Sequence, residues 1–156
     1  MARLSLAGLL TIALTAGCAL SAPSAKPGLA EAVAILEVFR TNGLPITEAI
    51  VHSAESDPNK LLGRPNGYGS KVSFRDGRLT VRSAGSIDTD DGGTIEMYPD
   101  AASARQRTEH IAALAKGSPL LVEYVYTQGR VVLRLSRELT PDQAEQYRTV
   151  LAELSD

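Results

Sequence analysis

The sequence predicts an α+β domain with two layers, in which an antiparallel sheet of four to five strands carries helices packed on one face. Three observations predict this class. Apolar residues recur at helical spacing in long stretches, shorter stretches alternate apolar with polar residues, and turn residues join the alternating stretches. Helices interleaved with hairpin-joined strands are typical of α+β domains.

The first helix is expected to begin near Leu29, where Leu29, Val33 and Leu36 fall at helical spacing. Asn42-Gly43 is expected to end it, because glycine readily takes the left-handed conformation that closes a helix. A second, shorter helical piece is predicted from Thr47 to about Ser53.

Val72 and Phe74 alternate with polar neighbours, which predicts a half-buried strand. Asp76-Gly77 suits a two-residue hairpin loop, so this strand is expected to turn back through residues 78–81. An acidic run follows at residues 88–91. It lacks the spacing of an EF-hand, so a solvated loop is expected there, and a bound cation stays open as the alternative.

The next helix follows a strand predicted from Thr94 to Tyr98. Pro99 is expected to end the strand, Asp100 to cap the helix and Gly117 to close it. Small residues such as Ala104 recur on the apolar stripe of this helix. They would allow it to lie close against the sheet.

A second hairpin is predicted to turn at Gln128-Gly129. With a two-residue loop, Tyr126 faces Val131 on an apolar side, while Glu123 meets Arg134 on the opposite side. This register separates an apolar core face from an amphipathic outer face.

The last helix has a complete start signal. Thr140 is placed as the N-cap, Pro141 takes the first helical position, and Gln143 completes a capping box. Tyr147 and Leu151 then lie on its apolar stripe.

An N-terminal segment precedes this domain. Arg3 is followed by an uncharged run from Leu4 to Gly17, which ends in Leu14-Thr15-Ala16-Gly17 directly before Cys18, the only cysteine. This is the layout of a secretory signal, and the run is too short for a transmembrane helix. A plain secreted protein with a free thiol is the alternative.

The arrangement resembles the lipobox of bacterial lipoproteins. The resemblance implies a diacylglycerol thioether on the Cys18 sulfur, cleavage after Gly17, and a membrane anchor on the extracytoplasmic face of the cell membrane. Residues 1–17 would be the cleaved signal peptide, residues 18–28 the lipidated cysteine with an Ala/Ser/Pro tether, and residues 29–156 a single α+β domain. No thiol would then remain for a disulfide or a metal.

Three passages of the domain resemble those of a family of small actinobacterial lipoproteins. They are residues 61–68 (LLGRPNGY), 92–98 (GGTIEMY) and 139–144 (LTPDQA). The likeness covers most of the chain after the tether. It implies a lipoprotein location, and it brings neither an activity nor functional residues.

Composition excludes some classes of function. The chain has 156 residues and a formal net charge of −2, which suits one domain with a modest core and disfavours nucleic acid as a partner. The two histidines, His52 and His110, are expected to be ordinary surface residues, since a lone imidazole lacks the partners that a catalytic or metal site needs. No catalytic motif, metal or cofactor is expected.

We therefore expect a non-enzymatic binding or interaction module that meets an envelope protein or a small ligand. The surface expected to make the contact includes Tyr68, Tyr98, Val125 and Val132. Two alternatives stay open: an envelope hydrolase with a carboxylate-based site, and a structural or exclusion lipoprotein without a ligand.

Overall fold

The computed structural model describes residues 30–82 and 85–154. In chain order the elements are α1 (Ala30–Thr41), β1 (Ile46–Val51), β2 (Ser70–Asp76), β3 (Gly92–Met97), α2 (Ala101–Gly117), β4 (Tyr124–Gln128), β5 (Val131–Leu135) and α3 (Pro141–Ala152). The predicted signal peptide, the lipobox with Cys18 and the tether lie outside the described residues. Within these residues, no helix is long and apolar enough to cross a membrane.

The five strands form one antiparallel sheet in the order β1-β2-β3-β5-β4. The predicted α+β class and the antiparallel sheet are confirmed, and the helices pack against the sheet. Alternation along the strands gives the sheet two chemically different faces. The apolar face carries Val72, Phe74, Ile95, Met97, Val131, Leu133 and Leu135. The polar face carries Lys71, Ser73, Arg75, Thr94, Glu96 and Arg134, with Val132 among them.

The apolar face is covered by α1 and α3, and this layer holds the main core. The ring of Tyr147 lies 5.4 Å from that of Phe39 and 5.5 Å from that of Phe74, measured between ring centroids. A Cβ at Gly93 would stand 2.6 Å from the Phe74 ring and 2.7 Å from Leu135. Glycine is therefore required there, because it lets the Phe74 ring lie directly across β3.

Helix α2 lies against the other face of the sheet. Ala104 is fully buried in a cluster with Val132, and the hydroxyls of Thr108 and Thr127 are 2.7 Å apart. Only α1 and α3 therefore share one face as expected. A stripe of small residues specifies how closely a helix approaches a sheet, but it does not specify which face the helix covers.

The helical piece predicted from Thr47 to Ser53 is wrong, because residues 46–51 form the edge strand β1. This strand pairs with β2, with a register shift between Ile46 and Ala49. Four of its six residues (Ile46, Thr47, Ile50 and Val51) are β-branched, and such residues favour strands. A run this short fits both periodicities, so pairing with β2 decides its conformation.

The hairpin predicted at Asp76-Gly77 is also wrong. Strand β2 is already paired with β1 on one edge and with β3 on the other, so residues 78–81 have no free edge to join. The Asp76 carboxylate instead accepts hydrogen bonds from the Arg78 main chain at 2.9 Å and from the Tyr147 hydroxyl at 2.8 Å. Together with a main-chain bond from Leu79 to the Asp76 carbonyl at 3.0 Å, they hold a turn in place of a hairpin.

The β4–β5 hairpin forms, but its turn lies one residue later than predicted. Gln128 pairs with Val131, so the loop is Gly129-Arg130, with Gly129 at a φ of +51°. Tyr126 therefore pairs with Leu133 instead of Val131. Because the register changes by two residues, each side chain keeps its predicted face.

The predicted N-caps of α2 and α3 and the predicted end of α1 are confirmed. Asp100 caps α2 by accepting from the Ser103 main chain at 2.7 Å. Thr140 and Gln143 form the reciprocal capping box of α3, with Pro141 in its first turn. Gly43, with a φ of +78°, follows the end of α1. These signals act within one turn of chain, which is why they could be read locally.

Candidate ligand-binding site

The polar face of the sheet is buried rather than solvated. The side chains of Lys71, Ser73 and Arg75 on β2, and of Thr94 and Glu96 on β3, are all at most 5% exposed. The prediction that β2 is half-buried is therefore wrong. Buried polar groups must find partners in the protein, because leaving them unpaired costs free energy. Three clusters of charged residues supply those partners.

The first cluster is centred on Asp57, which is fully buried at the start of the loop between β1 and β2. Its carboxylate accepts from Lys71 Nζ at 2.8 Å, from the Tyr68 hydroxyl at 2.8 Å, and from the main chain of Leu61 and Leu62. Burial alone would raise the pKa of Asp57, but the bonds from Lys71, Tyr68 and Leu61 outweigh it and hold the pKa well below its usual range. The loop is thus tied to the sheet by an ionised carboxylate.

The second cluster surrounds Glu96, which is also fully buried. Its carboxylate pairs with Arg107 of α2 and Arg134 of β5, each at 3.2 Å, and accepts from the Tyr98 hydroxyl at 3.0 Å. Burial and the Glu96 charge together raise the pKa of Tyr98 far above its usual value. Arg134 is held again by Glu123, with two hydrogen bonds of 2.8 and 2.9 Å. The side chains of Glu123 and Arg134 are thus in contact as expected, although the strand partner of Arg134 is Val125 and not Glu123.

The third cluster fixes the acidic run. Arg75 bonds Asp91 at 3.0 Å, and Asp91 and Asp88 cap each other's main chain around a 3₁₀ turn at Thr89–Asp91. Asp88 and Asp90 themselves are exposed. In the part of the chain that the structure describes, no group of three or more His, Cys, Asp or Glu residues is placed to hold a metal ion.

A hydrogen-bonded row of hydroxyls crosses the polar face from His52. The His52 Nε2 atom lies 2.9 Å from Ser73 Oγ, which lies 3.2 Å from Thr94 Oγ1, and Thr94 continues to Thr89 at 3.2 Å. The expectation that His52 is a surface histidine is wrong, since it is only 5% exposed. Burial, and then the charge of Lys71, lower its pKa, so the ring is neutral near pH 7. His110 is exposed.

Above these groups lies a cavity of about 320 Å³, called here the polar-face cavity. Its floor is formed by Lys71, Ser73, Thr94 and Arg134, and one side by Pro58 and Asn59 together with residues 88–90. A volume near 300 Å³ is at the lower end of the range for small-molecule sites. The floor is rigid because each polar group in it is already held by a neighbour.

The opposite wall of the polar-face cavity is apolar. It consists of Ile111 and Leu114 from the end of α2, and of Leu120, Leu121 and Val122 from the segment that follows. Six large apolar side chains are exposed in the described part of the chain, and four of them are in this wall: Leu114, Leu120, Leu121 and Val122. Leu120 is 77% exposed. The other two, Val51 and Val81, lie outside this cavity.

The four residues predicted to form an interaction surface do lie together, but three of them are buried and Val125 is partly buried. Tyr68, Tyr98 and Val132 are at most 1% exposed and form a buried cluster with Ala104 of α2, against which Val125 packs. The rings of Tyr68 and Tyr98 meet edge to face, 5.7 Å apart. The expectation of an exposed surface here is wrong, because α2 and the loop before β2 cover this part of the sheet.

Sequence reasoning missed the residues that form the polar-face cavity. A signal was present in the alternation of β2, where Lys71, Ser73 and Arg75 all point to the side opposite the core. That signal cannot distinguish a solvated face from a covered one, because the cover comes from distant segments. The apolar wall was missed for the same reason, since it combines residues of α2 with the separate segment 120–122.

A second cavity of about 300 Å³ lies on the other side of the sheet, beside α1. It is lined by Ala34 and Val38 of α1 and by Val131 of β5, with Glu31 and Arg130 ion-paired at 3.0 Å. Its lining has fewer polar groups than that of the polar-face cavity. It is the natural competitor in any binding experiment.

Comparison with known proteins found no similar protein. No family model, no curated protein and no solved structure matches the chain.

Proposed function

We propose that the protein is a lipid-anchored lipoprotein on the extracytoplasmic face of the cell membrane, and that its domain is a non-enzymatic binding module. The anchor is supported by the lipobox-like segment that ends at Cys18. The binding function is supported by the polar-face cavity, which would hold a small ligand.

One observation carries the binding proposal: four of the six exposed large apolar side chains of the described residues line a single cavity. Isolated exposed apolar residues are normal on a soluble surface, but a contiguous group beside a concave polar floor is typical of a binding site. Fully covering one leucine side chain contributes on the order of 1.5 to 3 kcal/mol. Covering this wall with a ligand would therefore contribute favourably to the free energy of binding.

The polar floor supports the same proposal. A buried charge cluster gives little net stability compared with a well-packed apolar one. Here Lys71 and Arg134 are held rigidly beneath a cavity, with Ser73 and Thr94 between them. Such a floor supplies fixed hydrogen-bonding groups with little reorganisation on binding.

The binding proposal is tested with the neutral dye N-phenylnaphthylamine, whose fluorescence rises in apolar surroundings. We expect saturable binding to the parent and its loss in Leu120→Ser/Leu121→Ser. The matched control is Val51→Ser, since Val51 and Leu121 have similar exposed fractions, 47% and 50%. Equal dye binding by the parent and by Leu120→Ser/Leu121→Ser would contradict the proposal that the polar-face cavity binds the dye. Thermal unfolding checks that both variants fold.

The anchor is tested separately. In the native host, replacement of Cys18 by alanine removes the sulfur that would carry the diacylglycerol. We expect the parent to partition into the detergent phase and Cys18→Ala to be secreted or to remain uncleaved. Unchanged detergent partitioning of Cys18→Ala would count against the anchor, and it would leave the dye experiment unaffected.

A hydrolase is the second candidate, and the pair of His52 and Ser73 favours it. A neutral imidazole 2.9 Å from a serine hydroxyl in the floor of a cavity has the arrangement of a base and a nucleophile. Binding ranks above hydrolysis because Ser73 is only 2% exposed and its hydroxyl also contacts Thr94. Covalent labelling of Ser73 by a fluorophosphonate, absent in Ser73→Ala, would reverse that ranking.

A further inference from the structure

The charges around the polar-face cavity differ in whether they are already paired. Both cations of the floor are engaged: Lys71 Nζ lies 2.8 Å from Asp57, and Arg134 contacts Glu96 and Glu123. An anionic ligand would have to compete with these carboxylates for Lys71 or Arg134. The cations therefore hold the floor in place and are poorly available to an anion.

Two carboxylates at the mouth of the cavity are in the opposite situation. Asp88 accepts a hydrogen bond from the Asp90 main chain at 2.9 Å, and the described residues form no ion pair with it. Asp90 meets Arg82 at 3.7 Å, with both side chains about half exposed. An exposed pair of that length contributes little, so both carboxylates remain available to a cation.

The hydrogen-bonding groups between the mouth and the floor are mostly uncharged. Thr89 offers a hydroxyl and Asn59 an amide, and Ser73 and Thr94 add hydroxyls from the floor itself. The cavity thus presents an apolar wall on one side, hydroxyls and an amide within, and exposed negative charge at the mouth that is at most weakly paired. The complement of such a site has an apolar body and a positively charged end.

We infer that the ligand is a cationic amphiphile, meaning an alkyl or aryl body that bears an amine. Its apolar part covers Leu114, Leu120 and Leu121, and its ammonium group lies between Asp88 and Asp90. This inference depends on the proposed binding function and adds the chemical class of the ligand.

The test compares head groups on one dodecyl chain, below micelle-forming concentrations and at low salt. Dodecylamine, dodecyl maltoside and dodecanoate are each used to displace N-phenylnaphthylamine from the full domain. We expect dodecylamine to bind roughly tenfold more tightly than dodecanoate, because two exposed carboxylates act on opposite charges in the two compounds. The preference is expected to shrink at high salt, where exposed charges are screened.

The variant Asp88→Asn/Asp90→Asn removes the charge and leaves side chains of the same size. Asparagine also caps a helical turn, so the turn at Thr89–Asp91 is kept. We expect the affinity for dodecylamine to fall roughly three- to tenfold and that for dodecyl maltoside to stay unchanged. The control is Asp100→Asn, which makes the same change at an exposed cap outside the cavity lining.

The outcomes separate the inference from the function on which it depends. If dodecyl maltoside or dodecanoate binds as tightly as dodecylamine, the inferred preference for a cationic head group is wrong, but the proposed binding function is still supported. The same conclusion follows if Asp100→Asn weakens dodecylamine as much as the double variant does. If no dodecyl compound displaces the dye, the proposed binding function fails as well.

Discussion

The buried side chains on the two faces of the sheet are stabilised in different ways. On the apolar face, Phe74 and Leu133 pack against α1 and α3, and the contact needs only matching shapes. On the polar face, Lys71 and Glu96 are just as deeply buried, and each needs a partner of opposite charge at hydrogen-bond distance. The apolar face stabilises the domain without requiring specific polar partners. The polar face holds polar groups in a rigid arrangement under a cavity.

The difference between the two faces indicates that function should be sought on the polar one. A sheet with apolar residues on both faces would stabilise the domain at least as well, because replacing a buried ion pair by apolar residues is often neutral or stabilising. A polar face that is kept buried is therefore better explained by what it presents to the cavity.

The largest effect is expected for Asp57→Asn on the polar face. This change leaves Lys71 buried without a counter-charge and is expected to lower the free energy of unfolding by about 3 to 5 kcal/mol near neutral pH. Because the pKa of Asp57 is depressed in the folded state, its contribution is present above the unfolded pKa and is lost as the pH falls below about 4. Denaturant titrations of the parent and the variant, near pH 7 and below pH 4, measure this difference in the free energy of unfolding.

The double variant Asp57→Asn/Lys71→Met is the control for that interpretation. It removes the unpaired charge and fills the space with an apolar chain, so it should recover part of the lost stability. A double variant no more stable than Asp57→Asn would show that the cost lies in loop geometry rather than in the unpaired lysine.

Leu133→Ala is the matching change on the apolar face. It leaves a cavity in the core and is expected to cost about 2 to 5 kcal/mol. Since no titratable group is involved, the cost is expected to be the same near pH 7 and below pH 4, in contrast to Asp57→Asn. A cost that shrank on acidification would mean that the two faces are coupled and cannot be treated separately.

The smallest effect is expected for His52. Its pKa is lowered in the folded state, so the unfolded chain binds the proton more readily, and stability is lost as the pH falls below the unfolded value of about 6.5. We expect the parent to lose stability between about pH 7 and pH 5, and His52→Gln to show a flatter profile in that window. Parallel profiles for the two proteins would contradict a buried, neutral His52.

The sequence predicted those parts of the fold that are decided within a few residues. The cap at Asp100, the capping box at Thr140 and the alternation of β3 each depend on near neighbours. It failed for β1, where a six-residue run fits helix and strand equally well and only pairing with β2 decides. It also failed at residues 78–81, since both edges of β2 are taken by other strands.

The candidate site was not predictable for a related reason. Its floor depends on whether the outer side of β2 and β3 is covered, and the cover comes from the distant loop at Asp57 and from α2. The sequence predicts Tyr68 and Tyr98 as surface residues, but that cover buries them. Aromatic residues on an outer sheet face predict recognition only if nothing packs over them.

The most direct test of the binding site is a titration of the folded domain with N-phenylnaphthylamine, followed by amide chemical shifts. The account predicts saturable shifts at Thr94, Leu114 and residues 120–122, which line the polar-face cavity. Shifts concentrated at Ala34 and Val38, beside the second cavity, would place the ligand on the other side of the sheet. That result, or the absence of any saturable shift, would contradict the account.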